Sequence, residues 1–211
     1  NGYLLRWDLR EPGEIELLDK QKAFADNRAI TAINLVFGDY SLAVGDEQGQ
    51  VTTWFPVREE KNKAAKRLTR IHDLSRHDGE VAAIMPSTRD KSVLSLGADG
   101  ILHLDHMTSE RELLTLGNHA PLTRFSFSTR GDSVIALTEE DRLVVWKFDN
   151  PHPEISFKTL FGKVWYEGYD EPAYAWQSSS ASDDFEPKLS LTPLIFGTLK
   201  GTFYAMLFAV P

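Results

Sequence analysis

Cysteine is absent from the 211 residues, which excludes disulfides, zinc–thiolate centres and cysteine nucleophiles from this chain. An excess of basic residues is missing as well. The formal net charge is −8, so a nucleic-acid partner has no electrostatic footprint here. The same sign repels anionic headgroups and free anions, which argues against cradling phosphate or lying on a membrane by charge. No phosphate-binding P-loop is present. No nucleophile elbow surrounds Ser178–Ser180 or Ser182. What remains is an ordinary globular composition, 42% hydrophobic and 26% charged, over a length that allows one large or two small domains. The chain opens at Asn1-Gly2 inside a repeated motif, so its first residue is expected to be a boundary within a longer sequence.

The repeat is the main feature of the first 150 residues. Four segments end in a similar strand: Asn1–Asp8 (NGYLLRWD), Gln48–Phe55 (QGQVTTWF), Asp99–His106 (DGILHLDH) and Glu140–Lys147 (EDRLVVWK). Trp7, Trp54, Asp105 and Trp146 are equivalent positions, at intervals of about 47, 51 and 41 residues, near the blade period of a propeller. An apolar strand precedes each of the last three: Leu42–Gly45, Val93–Leu96 and Val134–Leu137. The joining turns contain Gln48-Gly49, Asp99-Gly100 and Glu140-Asp141, and Asp-Gly between apolar strands is a strong hairpin signal. One strand earlier lie Ile30–Phe37, Val81–Met85 and Leu122–Phe127. Each repeat is therefore about four strands, and neighbouring sheets must stack to bury their faces.

These residues resemble the WD40 family, whose blades end in Trp-Asp. Arg6-Trp7-Asp8 carries the full dipeptide. The Gly-His that opens such a blade is missing, although His72, His77 and His119 fall near blade starts. The resemblance implies an all-β fold, a partial propeller of about 3 to 4 blades over residues 1–150. That is too few for a closed ring. Either residues upstream of Asn1 complete it or the chain associates with another copy. The charged stretch Glu59–Arg70 (EEKNKAAKRLTR) is expected to be a solvated loop or short helix rather than a basic docking patch.

The prolines of Asp149–Pro153 (DNPHP) end the repeats. Residues 151–188 then form a linking segment of a different kind. Trp165, Tyr166, Tyr169, Tyr174 and Trp176 crowd into it. They fit a membrane-interface belt or a packing segment against the propeller equally well. Beyond them, residues 189–211 are apolar. Between Leu191 and Val210 the one charge is Lys200, and a spanning helix needs about 20 such residues. The expectation is the start of a membrane helix.

Residues 161–211 resemble the permease subunit of phosphate ABC importers, the PstC type. The likeness rests on Phe161–Trp165, Phe185-Glu186-Pro187, Pro193–Leu199 (PLIFGTL) and Ala209-Val210-Pro211. Pro193, Gly197, Thr198, Gly201 and Pro211 mark the motif. Gly197 with Gly201, and Thr198 with Thr202, share a helix face, the small-xxx-small pattern of close helix packing in membranes. The resemblance implies a propeller inserted in the first periplasmic loop of an inner-membrane permease. Its partners would be a second permease subunit, an ATPase and a periplasmic solute-binding protein. ATP hydrolysis would belong to that separate subunit, and this chain would need no cofactor. A short loop is usual in that family, so the inserted domain raises the question of which solute is carried.

No catalytic or metal constellation stands against this reading. His103 and Asp105 share one strand face and His106 lies on the other, with no third ligand indicated. Exposed strand residues are the expected explanation, as for His72-Asp73 and His77-Asp78. Glu139–Asp141 and Asp183-Asp184 read as turn and loop acids. The competing expectations are a stand-alone WD40-like scaffold, in which the apolar end is a buried helix, and an envelope enzyme, which needs a polar constellation not found here.

Overall fold

Alternating apolar residues punctuated by turn residues build strands throughout the first 150 residues. The computed structural model describes residues 2–11, 13–59, 65–117, 121–180 and 185–209. A two-stranded antiparallel sheet comes first, β1 (Tyr3–Asp8) and β2 (Glu16–Lys22). A four-stranded sheet follows, β3 (Ile30–Leu35), β4 (Leu42–Asp46), β5 (Val51–Arg58) and β6 (Lys66–Asp73), in sequential order. The next sheet repeats this with β7 (Val81–Pro86), β8 (Ser92–Gly97), β9 (Ile101–His106) and β10 (Arg111–Gly117). A three-stranded sheet closes the series, β11 (Leu122–Phe127), β12 (Ser133–Thr138) and β13 (Leu143–Lys147).

The register of the three hairpins is the same. Trp54 faces Leu42, Asp105 faces Val93 and Trp146 faces Val134. The turn before each of these strands holds one residue at positive φ: Gly49 at 84°, Gly100 at 75° and Asp141 at 57°. Only glycine, or a residue with a short polar side chain, adopts that conformation cheaply.

The sheets stack face to face. Leu4, Phe24, Val44, Trp54 and Leu68 seal the first pair. Val36, Val51, Val81, Ile84 and Met107 seal the second, and Leu94, Leu102, Leu104, Val134 and Trp146 the third. First strands lie side by side, β3 against β7 and β7 against β11. Thr31 Oγ1 donates to Val81 O at 2.7 Å and Asn34 Nδ2 to Ile84 O at 3.0 Å. The architecture is thus a series of small antiparallel sheets around neighbouring first strands, which is propeller-like. At the two ends of the series Tyr3, Leu5 and Trp7, and Leu143 and Val145, stay exposed.

The stretch expected as a loop or short helix, Glu59–Arg70, is corrected in part: Lys66–Arg70 belongs to β6. An outermost strand keeps one side in solvent, so charge is no obstacle to pairing there. Residues 60–64 lie outside the described residues. So do His119, Ser182, Asp183, Asp184, Val210 and Pro211.

After β13 the chain runs back across the sheets. It forms α1 (Phe157–Phe161), the short pair β14 (Trp176–Gln177) and β15 (Lys188–Leu189), and then α2 (Thr192–Ala209). Ser156 caps α1 by accepting from the Thr159 N–H. Three consecutive residues tie the start of α2: Ser190 N donates to Ala175 O, Leu191 N to Leu160 O, and Thr192 Oγ1 to Phe161 O. None of the 18 residues of α2 is buried. Among the described residues no helix is long and apolar enough to cross a membrane.

Candidate functional site

Two polar clusters are built into the turns between second and third strands. In the β3–β6 sheet, Asp46 is fully buried at the end of β4. Its Oδ1 accepts from Gln48 N and Gln50 N at 2.9 Å each, and its Oδ2 meets Arg28 Nη1 at 2.9 Å. In the β7–β10 sheet, His77 Nε2 lies 2.8 Å from Ser95 Oγ and His77 Nδ1 lies 3.7 Å from Asp99 Oδ1. The latter distance is too long for a hydrogen bond. His77 stacks against His103 with ring centroids 4.6 Å apart. Burial, then the neighbouring His103, holds the His77 imidazole down at about 4, so it is neutral near pH 7. These groups hold turns in place.

A third cluster lies where the returning segment crosses the β7–β10 sheet, and it is the best candidate site. Lys91, just before β8, is 2% exposed at its side chain and donates at 2.5 Å both to Phe37 O and to Glu167 Oε2. The other Glu167 oxygen accepts from Ser41 Oγ at 2.5 Å. His106 ends β9 and is buried. His106 Nδ1 lies 3.0 Å from Ser109 Oγ, which itself donates to Pro153 O at 2.9 Å, and the other ring nitrogen is Nε2. That nitrogen points at Glu186 Oε1, 3.5 Å away. Glu186 Oε2 accepts from Thr108 Oγ1 at 2.6 Å. Glu186 Oε1 is buried without a hydrogen-bond partner among the described residues.

A cavity of about 60 Å³ lies against this cluster, lined by Phe37, Lys91, His106, Glu154, Phe185 and Glu186 among others. It has room for a few water molecules. Burial pushes the Glu186 carboxyl up to about 7, against the pull of Thr108 and Lys91. Burial likewise lowers the His106 imidazole to about 4. The arrangement can take up or release a proton; the one hydroxyl beside the imidazole, Ser109 Oγ at 3.0 Å, is buried and directed at Pro153 O. Among the described residues no group of three or more His, Asp or Glu side chains could hold a metal ion.

The strand positions divide between structural roles. Trp54 Nε1 donates to Thr52 Oγ1 at 2.9 Å. Trp7 is 47% exposed at the open face of the first sheet, and Trp146 packs beneath β12 and β8. Asp105 and His106 were expected to be exposed strand residues; both are buried, because a neighbouring sheet or the returning segment covers each face of β9. Ser75 Oγ donates to Asp105 Oδ1 at 2.6 Å, while burial lifts the carboxyl to about 6. His72 faces Glu110 Oε1 at 2.8 Å and Trp165 O at 3.0 Å.

The aromatic group separates as well. Tyr166 is buried, and Trp165 packs edge-on to Phe55 with its Nε1 bonded to Tyr169 O. Tyr174 and Trp176 are exposed. On α2, Pro193 sits in the first turn, and the open space around Gly197 and Gly201 holds no neighbouring atom within 4 Å of an added Cβ. Thr198 Oγ1 donates back to Leu194 O at 2.9 Å.

Lys91, Ser41 and Glu167 escaped the sequence reading, and Glu186 entered it only inside the Phe-Glu-Pro motif. No local pattern marks such pairs, whose partners stand 76 and 126 positions apart.

No protein-family model matches the chain, and no curated protein matches it. Among solved structures, a chain of the crystal structure of the Mitotic Checkpoint Complex is similar, with a TM-score of 0.52 and 13% identity. The likeness covers 73% of this chain and 44% of that one. This chain thus spans under half the length of that neighbour. The neighbour is WD40-type, and at this identity the likeness carries the fold alone.

Proposed function

We propose that the chain is the extracytoplasmic part of an ABC-transporter permease of the phosphate-importing PstC type. On this reading residues 1–150 are blades of an incomplete WD40-like propeller, two of four strands and two partial. Residues 151–188 link them to a helix that enters the bacterial inner membrane. The propeller is non-catalytic and binds a protein, the solute-binding protein being the nearest candidate in the periplasm. A second permease subunit and a separate ATPase complete the transporter.

The observation that carries this reading is the surface of α2. Leu194, Ile195, Phe196, Leu199, Phe203, Tyr204, Met206, Leu207 and Phe208 are each 42% exposed or more, on every side of the helix. A helix apolar all round belongs inside a large protein or a bilayer. The N-terminal end of α2 is also pinned to the linking segment by three consecutive hydrogen bonds, as a rigid entry point requires.

A second reading, a free-standing scaffold whose α2 is covered by protein, draws on a different observation. At 18 residues, with Lys200 in its middle, the described helix falls short of a span.

Carbonate extraction and phosphate-uptake assays of a gene-deletion strain separate the two. The permease reading expects the gene product to stay with the membrane after carbonate and expects uptake to fall on deletion. Release into the carbonate supernatant overturns it in favour of the scaffold. Membrane retention with unchanged phosphate uptake and loss of another solute overturns the substrate.

A further inference from the structure

We propose that Glu186 is a proton-operated latch, which holds the segment leading into α2 against the β7–β10 sheet when protonated and loosens it when ionised. The inference is independent of what α2 enters.

The geometry is that of a buried acid with half its hydrogen-bonding capacity unused. Glu186 Oε2 is bonded to Thr108 Oγ1, while Oε1 is buried without a partner among the described residues, in a residue that lines the cavity. Its side chain is 10% exposed. An ionised carboxylate in such a place must find a cation or water. The charged and titratable groups around it are accounted for, element by element. From β9, His106 presents a neutral ring whose Nε2 stays 3.5 Å away. From the turn before β8, Lys91 is committed to Phe37 O and Glu167, and Arg89 and Asp90 line the cavity with opposite charges. Arg89 Nε is itself held by Thr129 O.

From the returning segment come Glu154 on the cavity wall, Glu167 as a second acid near Lys91, and Tyr166, whose hydroxyl burial keeps neutral to about 12. Lys188 lies two residues on, over the rings of Phe185, Tyr166 and Tyr169 at 4.7, 5.5 and 5.6 Å. Lys91 is thus paired with Glu167, while Lys188 lies over aromatic faces and Arg89 is held by a backbone carbonyl. Among the described residues no lysine or arginine stands within ion-pair distance of the Glu186 carboxyl, although Lys91 and Lys188 attract its ionised form from further off. The carboxyl titrates at about 7 accordingly.

Ionisation therefore draws water into the cavity and works against the contact between Glu186 and the β9 end. Glu186 is four residues before Ser190, the first of the three residues that anchor α2. The contact that titrates and the anchor of the helix thus share one short stretch of backbone.

Two readouts on the purified protein test this. Infrared difference spectra taken between about pH 6 and about pH 8 follow the protonated-carboxyl band. Trypsin cleavage after Lys188, normalised to cleavage after the exposed Lys147, follows the latch. The wild type is expected to show a band titrating near neutrality and a cleavage ratio rising by up to about tenfold per pH unit above the midpoint. Glu186→Gln is expected to lose the band and keep a constant ratio. No near-neutral band, a constant ratio in the wild type, or an equal rise in Glu186→Gln overturns the latch. Should Glu186→Gln not fold, Thr108→Val serves. It removes the donor to the carboxylate, so the midpoint must move upward, and an unmoved midpoint overturns the proposal.

Discussion

Lys91 Nζ stands 2.5 Å from Glu167 Oε2 with its own side chain sealed from solvent, and so fastens the returning segment to the turn before β8. A buried ion pair adds little against an apolar replacement of both partners, but removing one partner leaves the other charge stranded. Lys91→Met is expected to destabilise the fold by about 3 kcal/mol, read as a lower denaturant midpoint at unchanged slope. The double variant Lys91→Met/Glu167→Gln should recover part of that loss. A double variant that simply adds the two single losses would show that the pair is not coupled.

Gly49 and Gly100 occupy equivalent turns at φ 84° and 75°, but their surroundings differ. A Cβ on Gly49 would fall on the carbonyl oxygens of His77 and Gly79, whereas a Cβ on Gly100 meets nothing within 4 Å. Gly100→Ala should cost about 1 kcal/mol, the price of the backbone conformation alone. Gly49→Ala should cost clearly more, since neighbouring backbone must move. Equal unfolding midpoints for the two variants would refute the steric difference.

The contrast shows what was legible beforehand. Apolar strands joined by Gly49, Gly100 and Asp141 at a fixed offset declare antiparallel hairpins, because both the period and the turn chemistry are local. The fourth strand was less visible: β6 reads KRLTRIHD and β10 reads RELLTLG, and charge on a strand with one solvated side weakens the alternation signal. The site at Glu186 was not legible at all. Its partners come from β9, from the turn before β8 and from the returning segment, and nothing in a Phe-Glu-Pro triplet announces a buried carboxyl. Burial was misjudged in the same way at Asp105 and His106, where a polar residue on β9 looks solvent-facing until its neighbours are in place.

Buried bases and buried acids pull the pH dependence of stability in opposite directions. His77 and His106 titrate at about 4 when folded, below their ordinary 6.5. The unfolded chain binds the extra protons there, so stability is lost as pH falls from about 6.5 toward 4. Glu186 at about 7 and Asp105 at about 6 are raised from 4.5 and 3.8. Their contribution is full below the unfolded values and is lost as pH rises through the folded ones. Between about pH 4.5 and 6 the two effects oppose each other, and the wild-type melting temperature should vary little. Glu186→Gln unmasks the histidines, and its melting temperature should rise with pH across that window. His77→Gln should tilt the profile the other way. Parallel profiles for all three proteins would remove these groups from the pH response.

Phe203 on α2 and Leu143 on β13 are comparably bare, 60% and 68% exposed. Replacing either with cysteine should change fold stability by no more than about 0.5 kcal/mol, and the absence of native cysteine from these 211 residues leaves no competing thiol among them. Their surroundings differ only if something covers α2, and a bilayer is the cover the permease reading expects. With an impermeant maleimide applied to native membranes opened to both faces, Leu143→Cys should label fully. Phe203→Cys should stay protected until detergent is added, because a charged, water-bound reagent does not enter hydrocarbon. A bare apolar helix covered by a partner protein would also be protected, but there the protection should disappear in mild denaturant with the bilayer intact. Protection that survives denaturant and yields only to detergent identifies lipid as what covers Phe203, and equal labelling of the two positions from the outset would remove α2 from the membrane.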